Sequence, residues 1–126
     1  MGFDLHGIQP MGTLSNPRNA SFEEEAKSGV YFRNNVWYWR PLWEYVAYTC
    51  DDILTLKDYK YGQSNDGHII TAEKAMRIGE RLKETIKDYD KTVKGIGEIG
   101  ENYTFSKDNV EEFANFCLNS GGFDIY

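Results

Sequence analysis

The chain has 126 residues, of which 40% are hydrophobic and 15% aromatic, and its formal net charge is −6 at pH 7. This composition predicts one folded globular domain over residues 1–126 and excludes a disordered chain. The acidic balance argues against broad direct binding of nucleic acids, which calls for clustered Lys and Arg. Because no apolar run is long enough to cross a bilayer, we expect a cytoplasmic protein without membrane contact, in which Cys50 and Cys117 stay reduced.

The first third of the chain predicts a strand, a loop and a second β-rich stretch. Residues 3–8 have the pattern of a short strand. Residues 9–28 predict a loop that contains one helical turn starting near Ser21. Residues 30–38 are β-rich in composition, and the pair Asn34-Asn35 favours a turn within them.

Three amphipathic helices follow in the prediction. Pro41 suits the first position of a helix, where its missing N–H costs nothing, and the apolar spacing becomes helical from Leu42. Thr71 and Ser106 are expected to cap the second and third helices. Gly79 lies on a buried stripe, which suggests the close approach of another element. The three apolar stripes are Leu42, Val46, Thr49, Cys50 and Ile53; Ala75, Ile78, Gly79, Leu82, Ile86 and Tyr89; and Val110, Phe113, Ala114, Cys117 and Leu118.

Shorter segments connect these helices. Thr55 is expected to cap a turn that runs through residue 59, and residues 61–68 predict a loop. Residues 94–102 predict a flexible connection or a small hairpin, and residues 123–126 a final strand after the helix stop at residues 119–122. The pattern as a whole predicts a helix-dominated α+β fold, with three amphipathic helices packed around a small β-sheet.

The stretch from residue 30 to residue 45 holds all three tryptophans together with arginine and asparagine side chains. It fits a hydrophobic core, a ligand pocket in which arginine clamps a phosphate and a ring stacks on a base, or a protein interface, where Trp, Tyr and Arg are enriched. The run from Trp37 to Arg40 cannot bury every ring on one face, so we expect some aromatic surface in a groove or an interface. The candidate residues are Arg33, Asn34, Asn35, Trp37, Trp39, Arg40 and Trp43.

The loop Asn65-Asp66-Gly67-His68 is a second candidate site. A hydrolase would be able to use the carboxylate of Asp66 and the imidazole of His68 as acid and base. We favour a hydrogen-bonded turn, because no nucleophile motif adjoins the loop. Asn65, Asp66 and His68 are therefore candidates for binding a ligand or partner, and no catalytic residue is assigned. No cofactor or metal site is predicted, since the two cysteines lie far apart on apolar helix faces.

Four pieces of the chain, residues 1–7, 31–43, 65–68 and 113–123, together resemble a family of small uncharacterised proteins of bacteriophages, prophages and gut-type bacteria. The resemblance covers most of the chain, and the aromatic stretch is its most distinctive part. Members of that family often carry a Cys-x-x-Cys-x-Gly zinc-binding insert before the last helix, whereas residues 90–101 of this chain contain no cysteine. The resemblance therefore implies an accessory role in a phage, such as counter-defence, and no metal site.

We therefore expect a non-enzymatic phage or mobile-element protein that inhibits a host protein, such as a defence-system component, through an aromatic and arginine surface. Sequestration of a nucleotide-like small ligand and a hydrolase using His68 and Asp66 remain as alternatives. A protein interface predicts an exposed apolar patch, and a ligand site predicts a concave pocket with Arg33 or Arg40 facing inward. An enzyme predicts His68 hydrogen-bonded to a carboxylate inside such a pocket.

Overall fold

Four antiparallel strands form one sheet in the computed structural model, which describes residues 2–12, 18–96 and 105–126. The strands are β1 (Gly2–Gly7), β2 (Tyr31–Asn35), β3 (His68–Ile70) and β4 (Phe123–Ile125). The helices are α1 (Phe22–Ser28), α2 (Val36–Thr49), α3 (Leu56–Gly62), α4 (Ala72–Ile86), α5 (Tyr89–Ile96) and α6 (Lys107–Ser120). The spatial order β2-β1-β4-β3 places the first and last strands side by side at the centre. This is the helix-dominated α+β class that the sequence predicts.

The sheet is buried on one face and open on the other, because successive side chains of a strand point to opposite faces. On the open face, Asp4 and His6 of β1 lie opposite Arg33 and Tyr31 of β2. These four side chains are exposed or half-buried. The apolar side chains of the inner face are at most 2% exposed; they are Phe3, Leu5, Phe32, Ile70, Phe123 and Ile125. Asn34 and His68, which pair with Phe3 and Ile125, lie on the same face and are half-buried.

The strongest helix packing joins α4 and α6, as their apolar stripes predict. The Thr71 and Ser106 hydroxyls cap the two helices by accepting the backbone N–H groups of Lys74 and Asn109, respectively. A Cβ at position 79 would lie 2.7 Å from the Leu118 side chain, so the close approach expected at Gly79 is present.

The start of α2 differs from the prediction. Strand β2 ends at Asn35, and the helix begins at Val36. Residues 36–38 are therefore helical, and the expected turn within a β-rich stretch is wrong. Pro41 lies inside the helix, not at its first position. The reason is the side chain of Asn35, which caps the helix six residues before Pro41.

Several short elements are longer or more regular in the structure than the sequence predicts. The turns expected near Ser21 and after Thr55 are complete helices, α1 and α3. Thr55 caps α3 as predicted, and Ser21 is the cap of α1. His68, expected in a loop, begins strand β3. Of the connection expected at residues 94–102, Lys94–Ile96 belong to helix α5, and the remainder lies outside the described residues. No helix in the described ranges combines the length and the apolar character that crossing a membrane requires.

Candidate functional site

Asn35 starts helix α2, which turns some rings of the aromatic stretch into the core and others towards water. Its side-chain oxygen accepts hydrogen bonds from the backbone N–H groups of Trp37 and Tyr38, at 3.0 and 3.1 Å. Because successive residues of a helix are rotated by about 100°, the three rings that follow cannot share one face. Trp37 is 73% exposed and Tyr38 is 40% exposed, whereas Trp39 is fully buried. The expected exposed aromatic surface is thus at the first turn of α2.

Trp39 and Trp43 belong to the core. Their rings stack at a centroid distance of 5.2 Å. The indole N–H of Trp39 donates to the carbonyl of Gly62 at 2.8 Å, and that of Trp43 donates to the carbonyl of Tyr59 at 3.0 Å. Both rings therefore join α2 to α3 with their polar atoms satisfied, as a core interpretation of these two tryptophans requires.

The asparagine amides of this region also have internal partners. Asn34 and Asn109 exchange two side-chain hydrogen bonds, at 3.1 and 2.8 Å, which connect β2 to the first turn of α6. The amide of Asn34 additionally donates to the carbonyl of Arg33. The Asn35 oxygen is occupied by the helix cap. These amides therefore hold the local backbone in place.

Arg33 lies on the open face of the sheet beside the Asp4 carboxylate. Its guanidinium donates to Asp4 at 3.1 Å, and the Tyr31 hydroxyl donates to the same carboxylate oxygen. Burial, followed by the hydrogen bond to Asp4, raises the pKa of the Tyr31 hydroxyl. Arg33 is thus neutralised by a neighbour in its own sheet, while Arg40 is exposed on α2.

A groove of about 520 Å³ runs beside the exposed rings. It brings together residues of α1, β2, α2 and α6, so its wall combines aromatic, amide and acidic groups. Phe22, which is 65% exposed, faces it from α1, and Tyr38 faces it from α2. The remaining lining residues are Arg33, Asn34, Asn35, Ser106, Asp108, Asn109 and Glu112.

Of the candidate residues between 65 and 68, His68 belongs to a different cluster of charged groups. The Asn65 amide donates to the carbonyl of Gly2 at 3.3 Å, and Asp66 is exposed. His68 does not pair with Asp66; its Nε2 lies 2.8 Å from an oxygen of Asp58. Lys74 contacts the other oxygen of Asp58 at 2.5 Å.

Asp58 is the centre of that cluster. It is 5% exposed, and it also accepts the backbone N–H of Thr55 in the capping box of α3. Burial by itself raises the pKa of the Asp58 carboxyl, but the hydrogen bonds from Lys74, Thr55 and His68 outweigh burial and lower the pKa to about 2. The cluster therefore joins α3, β3 and α4 through a carboxylate that is ionised at neutral pH.

Sequence reasoning missed Phe22, Asp108 and Glu112 in the groove, and Asp58 and Lys74 around His68. The spacing Thr55-x-x-Asp58 is a capping-box signal and was sufficient to place Asp58 at the start of α3. Nothing in the sequence brings β2 next to the first turns of α6, because those residues are separated by more than 70 positions. Their proximity follows from the packing of α6 against the sheet, in which Phe113 and Phe116 contact Phe32 of β2.

No match to the chain was found among protein-family models, curated proteins or solved structures. Within the part of the chain that the structure describes, no group of three or more His, Cys, Asp or Glu side chains is placed to hold a metal ion. The function is therefore inferred from the geometry of the exposed rings and the groove beside them.

Proposed function

We propose that this protein is a non-catalytic binding protein that recognises a partner protein through three exposed aromatic side chains, Phe22 of α1 and Trp37 and Tyr38 of α2, together named the aromatic patch. The exposure of Trp37, at 73%, carries the proposal. Covering such a ring removes on the order of 150 Å² of apolar surface from water, which is worth roughly 3–4 kcal/mol. Tryptophan and tyrosine are also the residues most enriched at the energetic centres of interfaces.

The polar groups around the patch support a protein partner over a nucleotide-like ligand. The Asn34 and Asn35 amides make internal hydrogen bonds, so reading a base would first require breaking them. Arg33 is paired with Asp4. Asp108 and Glu112 line the same groove and repel a phosphate.

The cluster around His68 has a structural role, because it joins α3, β3 and α4. Asp58 holds both His68 and Lys74 and is buried. His68 has the carboxylate neighbour that an enzyme predicts, Asp58 at 2.8 Å, but a general base must reach the proton that it removes, and the His68 side chain is only 15% exposed and stacks on the Tyr61 ring. We therefore place the hydrolase alternative behind the binding function.

An inhibitor needs only to cover a working surface of its target, and a small rigid domain with exposed rings is suited to this. Trp37 and Tyr38 lie on a capped helix, so their positions are set before binding and little ordering cost is added. The proposed partner is a host protein, such as a component of a defence system. This choice agrees with the resemblance of the chain to a family of phage and prophage proteins.

The test is quantitative capture from host lysate with three immobilised baits: the wild type, Trp37→Ala and Leu56→Ala. Leu56 is the matched control, because it is 81% exposed and apolar but lies at the start of α3. We expect the same protein to be recovered by the wild type and the Leu56 variant and to be depleted on the Trp37 variant. Equal recovery on all three baits would contradict the proposal.

A further inference from the structure

The groove beside the aromatic patch continues into a second groove. The second one, of about 540 Å³, lies between α1 and α6 and is lined by Glu23, Lys27, Asp108, Glu111, Glu112 and Asn115. Asp108 and Glu112 line both grooves, so the two adjoin along α6. An extended segment that contacts the aromatic patch can therefore continue along α1 and α6 without leaving the surface.

We infer that this continuous groove binds a positively charged, extended segment of the partner protein, with apolar side chains against Phe22 and Tyr38 and a Lys or Arg side chain between Asp108 and Glu112. The inference rests on the proposed function and adds the chemistry of the partner. Two features of the groove support it: the exposed rings of Phe22 and Tyr38, and the excess of carboxylates over cations among the lining residues.

The charges of the lining favour a cation. Four carboxylates face the two grooves, from Glu23, Asp108, Glu111 and Glu112, against the two cations Lys27 and Arg33. Glu111 also pairs with Lys83 of α4 at 3.8 Å, which leaves Glu23, Asp108 and Glu112 as the main acidic groups of the groove. Arg33 is already neutralised by Asp4, outside the groove wall. A basic segment is therefore attracted along the whole groove, whereas an acidic segment or a nucleic acid is repelled.

Glu112 is the carboxylate that gains most from a cationic partner. It is half-buried, and no Lys, Arg or His of the described ranges forms an ion pair with it. Burial, followed by the negative charge of Glu23, raises the pKa of the Glu112 carboxyl. The other charged groups facing it across the groove are Lys27 of α1, Arg33 of β2, and Asp108 and Glu111 of α6. A cation placed beside Glu112 would supply the missing counter-charge.

The rings set the apolar part of the segment. Phe22 packs against Tyr31 at a ring-centroid distance of 6.0 Å, so it is fixed at the groove edge although it is exposed. Tyr38 faces the same groove from the first turn of α2. An occupant that alternates apolar and basic side chains matches this wall better than a uniformly basic one.

The experiment uses fluorescence anisotropy with two labelled peptides of equal length, one alternating lysine and leucine and the other alternating glutamate and leucine. The groove variant is Asp108→Asn with Glu112→Gln, and Glu112→Gln alone serves if the double variant loses its fold. The matched control is Glu73→Gln with Glu80→Gln, which removes the same charge from exposed positions on α4. Trp37→Ala is measured beside them, and thermal melts verify that each variant is folded.

We expect the wild type to bind the basic peptide and not the acidic one, with weaker binding at higher salt because exposed charges are screened. The groove variant should bind at least about tenfold more weakly, because two partly desolvated charge contacts are lost, and the control variant should resemble the wild type. Failure of the wild type to bind the basic peptide, or equal losses in the groove and control variants, would overturn the inference.

Trp37→Ala separates this inference from the proposed function. Weaker binding by Trp37→Ala combined with unchanged binding by the groove variant would overturn the basic-segment inference and leave the aromatic patch in place. The reverse result would support the basic groove and remove Trp37 from the binding surface.

Discussion

Asp58→Asn tests whether the buried carboxylate holds α3, β3 and α4 together. Its side chain is 7% exposed and contacts His68 at 2.8 Å and Lys74 at 2.5 Å. Asparagine keeps the shape and one acceptor oxygen but loses the charge that both partners face. Because Lys74 is 28% exposed, its ammonium group can turn towards water in the variant. The loss of folding stability is therefore smaller than the cost of leaving an ammonium group fully buried and unpaired.

The magnitude follows from the pKa of Asp58, which is lowered from 3.8 to about 2. A carboxyl whose pKa is lower in the folded than in the unfolded chain stabilises the fold above the unfolded pKa, and this contribution is lost as pH falls through the folded pKa. The difference corresponds to about 2 kcal/mol at neutral pH. With roughly 3–4 °C per kcal/mol for a domain of this size, we expect a Tm lower by about 6–8 °C.

The assay is urea unfolding of the wild type, Asp58→Asn and Asp52→Asn across the range from neutral pH down to about 2. Asp52 is the control, because its pKa is also about 2 but its side chain is 50% exposed and pairs with Arg81 at the surface. We expect a large loss of stability at neutral pH for Asp58→Asn, a small one for Asp52→Asn, and a flatter acid limb in the Asp58 variant. Equal effects of the two substitutions would refute the reasoning.

Four further predictions concern the core, the grooves and metal. Leu82→Ala should cost about 2–5 kcal/mol in urea unfolding, because Leu82 is fully buried, whereas Glu80→Ala on the exposed face of the same helix should cost under about 1 kcal/mol. Gly62→Ala should cost about 1–3 kcal/mol, since its Cβ would lie 2.3 Å from the buried Trp43 ring; an unchanged urea midpoint would contradict this close approach. Glu112→Gln should maintain or raise the Tm at neutral pH, because the raised pKa means that the charged form is disfavoured in the fold, and a clear drop in Tm would contradict that sign. Addition of EDTA should leave the Tm unchanged, and a large decrease would reveal a metal site.

Local chemistry made the helix starts predictable where a hydroxyl residue precedes an apolar stripe. Thr55, Thr71 and Ser106 are the observed capping residues of α3, α4 and α6. The start of α2 was missed because Asn34-Asn35 fits a turn as well as a helix cap, and Pro41 fits a first helical position as well as an internal one. In the structure Asn35 is both the last residue of β2, where it pairs with Gly2, and the cap of α2.

Strand β3, the burial of individual rings and the groove could not be predicted, because they depend on contacts between residues far apart in the sequence. Strand β3 has three residues and acquires its strand character from pairing with β4. The exposed Trp37 could be anticipated as one of several rings that cannot share a face, but the burial of Trp39 and Trp43 depends on α3. The groove likewise depends on bringing α1 and α6 beside β2, and no local pattern encodes that meeting.

Recognition of the partner through Trp37 is tested by the affinity of the purified partner for the wild type, Trp37→Ala and Leu56→Ala, measured with the Tm of each variant. If Trp37 lies at the centre of the interface, its truncation should weaken binding by about 30-fold or more, as for other interface tryptophans that cost at least about 2 kcal/mol. The Tm should stay unchanged, because Trp37 is 73% exposed, and Leu56→Ala should bind like the wild type. An affinity of Trp37→Ala within about twofold of the wild type would show that Trp37 does not lie at the centre of the interface.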